Sequence, residues 1–326
     1  MILRSGGTHK AFAQHQLYLS EHRRRRDREF LANQFCKALI RLAKQDGAPD
    51  LQLLRDKSLF AQRCRQAGLP SIPLLAEFAE GRSLAPKTDL PREDLISKPA
   101  TGAFGQGVRL WQYDAANDLF EDHCSGQQFK PGELMQYLCD LSRADRIIVQ
   151  RRIRNHPALL PLSADALCNI RIVTCRSPSG ALEPMPLVIR VGAGRIAAAN
   201  LTQGGLAAPI DRTTGTICGA AMYYHDLLGV AFKDRHPDSG RRFSGFPIPM
   251  LEEAIALGLR AHQAFASLHF IGWDVAVAPE GPILIEGNSI PDLDLTVLPH
   301  RLTLSDTQFV PYYNHRWRSI PSKTRP

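Results

Sequence analysis

Two apolar segments separated by a three-residue turn stand near the C-terminal end of the chain, GWDVAVA and then PILIEGN. Their Val, Ile and Trp residues favour β-strands, and the Pro-Glu-Gly turn between them predicts an antiparallel hairpin. Glu286 and Asn288 are two residues apart, so their side chains share one face of the second strand. The turn brings Asp274 opposite that strand. The sequence therefore predicts a hairpin that carries two carboxylates and an amide on one face.

These three polar residues admit two interpretations. They could form the solvent-exposed face of an edge hairpin, or they could bind a cation. The neighbouring side chains are bulky and apolar, and burying two acids among them would be costly without a bound cation. Carboxylate and amide oxygens are ligands that Mg²⁺ prefers. We therefore favour a Mg²⁺ site, which Mn²⁺ could also fill, made by Asp274, Glu286 and Asn288.

A glycine-rich segment, TGAFGQG, follows the predicted strand Asp94–Lys98 and precedes a second predicted strand, VRLWQYD. Backbone N–H groups in such a turn can surround phosphate oxygens, and Lys98 can supply a fixed positive charge. The segment is not a Walker A loop, because no Gly-Lys-Ser/Thr follows it and no helix begins there. Alone it is weak evidence, but next to a predicted Mg²⁺ site it favours phosphate binding.

Apolar spacing predicts helices over residues 18–45, 56–69, 133–141 and 249–266. Further strands are predicted at RIIVQRR and at Leu167–Cys175, Pro186–Val191 and Ile196–Asn200. His262 lies on the apolar face of the last helix, which indicates a core histidine. The loop FKDRHPDSGRRFSG is a solvated surface loop or an anion-binding wall.

The 326 residues suit about two domains, and a composition of 44% hydrophobic and 22% charged residues is typical of a folded chain. The net charge of +8 is carried by residues 1–75, which hold fourteen Lys or Arg against six Asp or Glu. Their run HRRRRDRE is a solvated helix face or contacts an acidic partner, and the lack of interleaved aromatics argues against nucleic acid.

The seven cysteines include no Cys-x-x-Cys pair, so the sequence predicts neither a zinc site nor a disulfide framework. No stretch of about 18 apolar residues occurs, because the best candidate is interrupted by Arg190 and Arg195. The N-terminus lacks the apolar core of a secretory signal. These features predict a cytoplasmic protein.

The order DK…GLPSIP…KP..GAFGQGV…IVQRR…NIRIVT…GWD…LIEGN resembles the ATP-grasp superfamily over roughly residues 55–300. It is most similar to the sugar-transfer-associated branch, which is related to alpha-L-glutamate-ligase-like proteins. The resemblance implies an α+β fold in which two lobes with antiparallel sheets clamp Mg·ATP. We expect a basic helical segment at 1–54, a lid lobe at about 92–150, a large lobe at about 151–300, and a partly packed tail at 301–326.

The resemblance also implies roles for individual residues. Lys57 and Lys98 would hold ATP phosphates, and the loop Thr101–Gly107, with Gly102 and Gly105, would cover them. Arg171 would act with Lys98 in catalysis by facing the γ-phosphate or the acyl phosphate. The expected adenine contacts are Gln150, Arg151 and Ile153, the metal ligands are Asp274, Glu286 and Asn288, and the substrate contacts are Asn200, Gly204, Gly205, Lys233, Arg235 and His236.

Two departures from the family pattern concern ligand contacts. No acid occurs between Asp145 and Asp165 to bind ribose at the hinge, and none precedes Asn200 in AAANLTQGG. The resemblance implies ADP-forming ligation of a carboxylate and an amine, with an acidic or sugar-linked substrate. A small-molecule kinase and a non-catalytic adaptor that docks through its basic N-terminal segment are the alternatives.

Overall fold

A computed structural model describes residues 48–84, 89–102, 106–194, 196, 199–225 and 229–320. The predicted helix over 18–45 and its arginine run lie outside these residues. The described chain forms a small unit, Gln52–Arg154, and a large unit made of Asn155 onward together with residues up to Leu51. No helix in the described part is both long and apolar enough to cross a membrane.

The small unit is built on a seven-stranded antiparallel sheet within the described residues, in the order β2-β1-β7-β3-β4-β5-β6. Its elements are α1 (Asp50–Arg55), α2 (Lys57–Gln66), β1 (Leu74–Ala79), β2 (Arg82–Ser83), β3 (Leu95–Pro99), β4 (Arg109–Asp114), β5 (Leu119–Asp122), β6 (Gln128–Phe129), α3 (Pro131–Leu141) and β7 (Ile147–Arg151). Because β1 pairs with β7, the unit begins well before the expected lid boundary at residue 92.

One face of this sheet packs against α3. Leu134 and Leu138 of the helix join Trp111 and Val149 in a buried apolar cluster. The indole Nε1 of Trp111 donates a hydrogen bond to Ser97 Oγ at 2.8 Å, so its polar atom is satisfied inside the core. The opposite face is therefore the one that can carry ligand-binding residues.

The large unit is built on a nine-stranded antiparallel sheet, counted over the described residues, whose main path is β14-β13-β11-β10-β8-β15-β16. Its elements are β8 (Asn169–Arg176), β9 (Leu182–Pro184), β10 (Leu187–Val191), β11 (Leu206–Asp211), β12 (Thr216–Ile217), β13 (Ala221–His225), β14 (Gly229–Lys233), α4 (Leu251–Ala264), β15 (Phe270–Ala278), β16 (Gly281–Asn288), α5 (Leu293–Val297) and α6 (Phe309–Ser319). The predicted hairpin is the pair β15 and β16.

One expectation about this unit is wrong. Ile196, Ala199 and Asn200 are not in a strand, and β10 pairs instead with β11. Asn200 precedes a 3₁₀ turn at Leu201–Gln203, so the chain reverses before the next strand begins. The described part of the segment after residue 300 includes α6, whose Phe309 and Tyr313 are buried with Phe270.

His262 is a core histidine, as predicted, and it completes a buried hydrogen-bond chain. Trp273 Nε1 donates to Thr174 Oγ1 at 2.9 Å, and that hydroxyl lies 2.7 Å from His262 Nδ1. His262 Nε2 lies 2.8 Å from the Leu268 carbonyl oxygen and donates to it. In the neutral ring Nδ1 therefore accepts from Thr174, and a second proton on the ring would place a positive charge in the core. Burial accordingly lowers the pKa of His262 from 6.5 to about 4.

This lowered pKa makes the stability of the protein depend on pH. Between pH 6.5 and 4 His262 is protonated in the unfolded chain but mostly neutral in the folded chain. Its contribution to the free energy of unfolding is therefore complete above pH 6.5 and is lost as the pH falls towards 4. The loss from His262 alone should approach about 3 kcal/mol. Urea unfolding from pH 7 to 4 should show this slope in the wild type and a shallower one in His262→Gln. The exposed-residue control His315→Gln should keep the wild-type slope, and equal slopes in all three proteins would contradict the assignment.

Candidate functional site

The polar residues of the predicted hairpin lie on one face of the large sheet, with a fourth residue from β8. Strand register sets Arg171 opposite Asp274 and Asp274 opposite Glu286. Asn288 follows two residues after Glu286 and lies opposite Gly272. Since paired residues in antiparallel strands point to the same side, the four side chains form a continuous polar row across three strands.

A β-bulge produces this alignment. Near the turn, Val275 pairs with Leu284, but one residue earlier Asp274 pairs with Glu286, so Ile285 is the extra residue. Continued without the bulge, the register would set Asp274 opposite Ile285. Bulges redirect side chains in this way and are frequent near active sites.

Asp274 accepts contacts from two buried arginines. Its Oδ1 lies 2.7 Å from Arg171 Nε, and its Oδ2 lies 2.5 Å from an Nη2 atom of Arg190. Arg190 Nε also donates to Asn169 Oδ1 at 2.7 Å. The exposed fractions of Asp274, Arg171 and Arg190 are 2%, 5% and 8%. The three charges are thus removed from water together and depend on one another.

The charge state of Asp274 follows from this arrangement. Burial alone would raise its pKa, but the positive charges of Arg171 and Arg190 and a hydrogen bond with Glu286 outweigh burial and lower the pKa. Asp274 is therefore a carboxylate at neutral pH. The row and the adjacent Arg190 place two guanidinium cations beside two acidic side chains, an arrangement suited to binding both a metal ion and phosphate oxygens.

The sequence interpretation missed Arg190 as a site residue. It lies in β10 between Ile189 and Val191, both fully buried. A lone arginine within an apolar strand requires a counter-charge, because an isolated buried charge is strongly unfavourable. That requirement was the available signal, and the structure supplies Asp274 as the partner.

The donor atoms of the row fit a hard cation. Asp274 and Glu286 offer carboxylate oxygens, and Asn288 offers an amide whose Nδ2 is buried without a hydrogen-bond partner. The amide oxygen is the atom that could bind a cation, whereas the unsatisfied Nδ2 calls for a hydrogen-bond acceptor such as a phosphate oxygen. In the described part of the chain, no group of three or more His, Cys, Asp and Glu side chains is placed to hold a metal. Two carboxylates and an amide oxygen are nevertheless a donor set that Mg²⁺ accepts.

In the small unit, Lys57 and the glycine-rich loop are joined directly. Asp56 caps α2 by accepting from the backbone N–H groups of Ser58 and Leu59, which sets Lys57 at the first helical position. Lys57 Nζ donates to the Gly102 carbonyl oxygen at 3.1 Å, and its backbone N–H donates to Ala100 at 2.9 Å. The lysine therefore lies beside the start of the loop that was predicted to contact phosphates.

Lys98 and Gln150 share the sheet face opposite the α3 core. Lys98 pairs with Ile148, and Ile96 pairs with Gln150, so the four residues point to one side. Gln150 is buried, and its Nε2 donates to the Ile72 carbonyl oxygen at 3.1 Å. Its side chain is thus used inside the unit, and its backbone pairs with Leu74 of β1 and Ile96 of β3.

The glycine-rich loop is described only in part. Thr101, Gly102 and Gly107 are exposed, while Gly105 lies outside the described residues. Gly107 has φ +71°, and a Cβ there would stand 2.9 Å from the ring of Pro99. Only glycine combines a positive φ with the absence of a Cβ, so the backbone conformation at the end of this loop requires Gly107.

Acidic residues stand beside the hinge segment although none occurs within it. Arg151 Nε lies 2.9 Å from Glu93 Oε1. Asp94 contacts Arg152 at 3.2 Å and Arg154 at 2.8 Å. The sequence interpretation missed both acids because they precede β3, far from the hinge along the chain. Ile153 follows β7 and is half-buried.

The predicted substrate residues fall into two groups. Asn200, Gly204 and Gly205 form a tight turn in which the Asn200 carbonyl oxygen accepts from Gly205 N at 2.9 Å. Lys233 is exposed, with its ammonium 5.0 Å from the centre of the Tyr223 ring. Arg235 is exposed beside a pocket of the same unit.

The assignment of His236 to substrate binding needs correction. The side chain is buried, and its Nε2 lies 2.7 Å from the Gly192 carbonyl oxygen. Its Nδ1 accepts from Asp238 N at 3.2 Å. Both ring nitrogens are therefore used within the protein, and His236 fixes its loop to the end of β10.

The profile of one protein family, described as sugar-transfer associated ATP-grasp, matches residues 44–307. The chain belongs to this family. The resemblance seen in the sequence and the expected α+β ATP-grasp fold are both confirmed. Most of this ATP-grasp chain lies within the match, including every candidate site residue named above.

Solved structures of other proteins are also similar to this ATP-grasp chain. D-alanine–D-alanine ligase from Bacillus anthracis, complexed with ATP, is 13% identical, with 82% of this chain and 67% of that chain covered and a TM-score of 0.47. An ADP complex of N5-carboxyaminoimidazole ribonucleotide synthetase is 11% identical, with coverages of 74% and 46% and a TM-score of 0.44. This chain thus spans less than half of that synthetase. The comparison with curated proteins finds no match.

Proposed function

We propose that this protein is an ATP- and Mg²⁺-dependent ligase that activates a carboxylate as an acyl phosphate for attack by an amine. The observation that carries the proposal is the row Arg171, Asp274, Glu286 and Asn288, with Arg190 beside it. A member of the ATP-grasp family with this row has oxygen donors for Mg²⁺ and cations for phosphate on one sheet face.

The proposed reaction has two steps. A carboxylate oxygen of the substrate attacks the γ-phosphorus of ATP, and ADP leaves. The nitrogen of the amine then attacks the acyl carbon, the amine loses a proton, and phosphate leaves with the electron pair of the broken C–O bond. Most of the catalysis in such phosphoryl transfers comes from positioning and from neutralising charge.

The residues of the large unit would supply that neutralisation. Glu286, Asp274 and Asn288 would hold Mg²⁺. When bound, this cation would neutralise negative charge on phosphate oxygens. Arg171 and Arg190 are fixed by Asp274, so their positions need little rearrangement before phosphate arrives. We assign both arginines to stabilising charge on the transferred phosphoryl group.

The residues of the small unit would bind the nucleotide. Lys57, held against Gly102, and Lys98 are the proposed phosphate contacts, with Thr101, Gly102, Gly105 and Gly107 in the loop that covers them. Backbone groups of residues 150–153 are the proposed adenine contacts. On the substrate side we retain Asn200, Gly204, Gly205, Lys233 and Arg235. An acidic or sugar-linked carboxylate suits a family described as sugar-transfer associated.

Identification of the products tests the chemistry. The purified protein is incubated with Mg·ATP and pooled carboxylates, with and without amines, and followed by ³¹P NMR. We expect ADP and phosphate to appear only when a carboxylate and an amine are both present. AMP and pyrophosphate would contradict an acyl phosphate. A stable phosphorylated product formed without an amine would replace the ligase by a kinase.

A further inference from the structure

A polar pocket lies in the large unit, within the loop that follows β14. It has a volume of about 430 Å³ and is lined mainly by residues 235–246 with Pro161. Pockets of this size accommodate small ligands. Three arginines line it, Arg235, Arg241 and Arg242, together with the polar residues Ser239 and Ser244.

No described carboxylate forms an ion pair with the arginines of this pocket. Within the described ranges, none of the three guanidinium groups has a carboxylate oxygen within 4 Å. Arg235 and Arg242 lie directly opposite each other in an antiparallel bridge, where like charges are destabilising. The nearby Asp238 forms no ion pair with them, and its Oδ2 accepts from Gly194 N at 2.7 Å.

The loop that presents these arginines is held at several points. His236 anchors it to Gly192, two residues beyond Arg190, and Ser239 Oγ donates to the Pro161 carbonyl oxygen at 2.6 Å. Phe243 is fully buried. The guanidinium of Arg241 lies 5.3 Å from the centre of the Phe246 ring. The arginines therefore project from a fixed backbone, which lowers the entropic cost of binding a ligand.

We propose that this pocket binds a phosphoryl group of a second ligand, distinct from the nucleotide. A carboxylate is satisfied by one guanidinium fork, whereas a phosphate monoester carries close to two negative charges and three oxygens that several forks can share. The proposal extends the proposed function, because it makes the acceptor substrate a phosphorylated molecule. Only the identification of the ligand as the acceptor substrate rests on the proposed function; phosphate binding by the pocket does not.

Equilibrium binding without nucleotide or Mg²⁺ tests the pocket. Glucose 1-phosphate is titrated into the full-length protein in EDTA by calorimetry, and vesicles containing phosphatidic acid are tested by sedimentation. We expect saturable binding of one of these probes. The variant Arg235→Gln/Arg242→Gln should weaken it by about tenfold or more, since hydrogen bonds to charged groups are lost. Glucose 1-phosphate binding indicates a soluble phosphate ester, and vesicle binding alone indicates a lipid-borne one.

The matched control removes two charges elsewhere in the same unit. Arg212→Gln/Arg260→Gln has the same net charge as the pocket variant, and neither residue lines the pocket. It should bind within about twofold of the wild type, because screened surface charges contribute little. Equal loss in both variants, or no saturable binding of either probe by the wild type, would overturn the proposal. Since no turnover is measured, failure of the ligase reaction would leave this result standing.

Discussion

Replacing Glu286 with glutamine should remove most of the stabilisation that Mg·ATP gives to this protein. A ligand that binds only the folded state at about 100 times its Kd stabilises it by about 2.7 kcal/mol. Glutamine keeps the size of the side chain but loses the negative charge that a divalent cation requires. Thermal unfolding with and without ATP and Mg²⁺ measures the effect, and we expect a clear gain in Tm for the wild type alone.

The control for this experiment is Glu253→Gln, which neutralises an exposed glutamate at the start of α4 in the same unit. This variant should keep the full gain. Wild-type protein with ATP and excess EDTA should lose it, which separates metal dependence from binding of ATP alone. A full gain in Glu286→Gln would contradict the metal assignment. No gain in the wild type would favour the adaptor hypothesis.

The sequence predicted the hairpin and its polar residues, but it could not predict the register that aligns them. Patterns of apolar residues locate strands and their faces. A bulge depends on how neighbouring strands pair. The extra residue Ile285 determines that Glu286, and not an isoleucine, lies opposite Asp274. The chemistry of the face was therefore predictable from residue types, whereas its alignment required the three-dimensional pairing.

Partners that are distant along the chain were the second kind of information missing from the sequence. Arg190 contacts Asp274 across 84 residues, and Glu93 contacts Arg151 across 58. The sequence shows that a buried arginine needs an acid but not which acid. The C-terminal helix was missed for a similar reason, because its Phe309 packs against Phe270 of the large unit's sheet, which is distant along the chain.

Removing the carboxylate of Asp274 should strongly destabilise the protein. In Asp274→Ala the buried guanidinium groups of Arg171 and Arg190 lose their shared partner. Breaking a buried ion pair from one side costs about 3–5 kcal/mol. Glu286 stands opposite and can take one guanidinium, so we expect a value near the lower end. Urea unfolding at pH 7 measures the change, and the exposed carboxylate variant Asp234→Ala should alter stability by less than about 0.5 kcal/mol.

Removing all three charges together separates the two possible causes of this destabilisation, which are uncompensated charge and lost packing. In Asp274→Ala/Arg171→Met/Arg190→Met the uncompensated cations are absent, and apolar side chains fill much of the same space. Buried ion triads replaced in this way are often neutral or stabilising. The triple variant should therefore recover most of the stability that Asp274→Ala loses, while showing no stabilisation by Mg·ATP. If the triple variant is less stable than the single one, packing and not charge accounts for the effect. Recovery of stability without recovery of Mg·ATP binding would mean that the buried charges are retained for the ligand rather than for the fold.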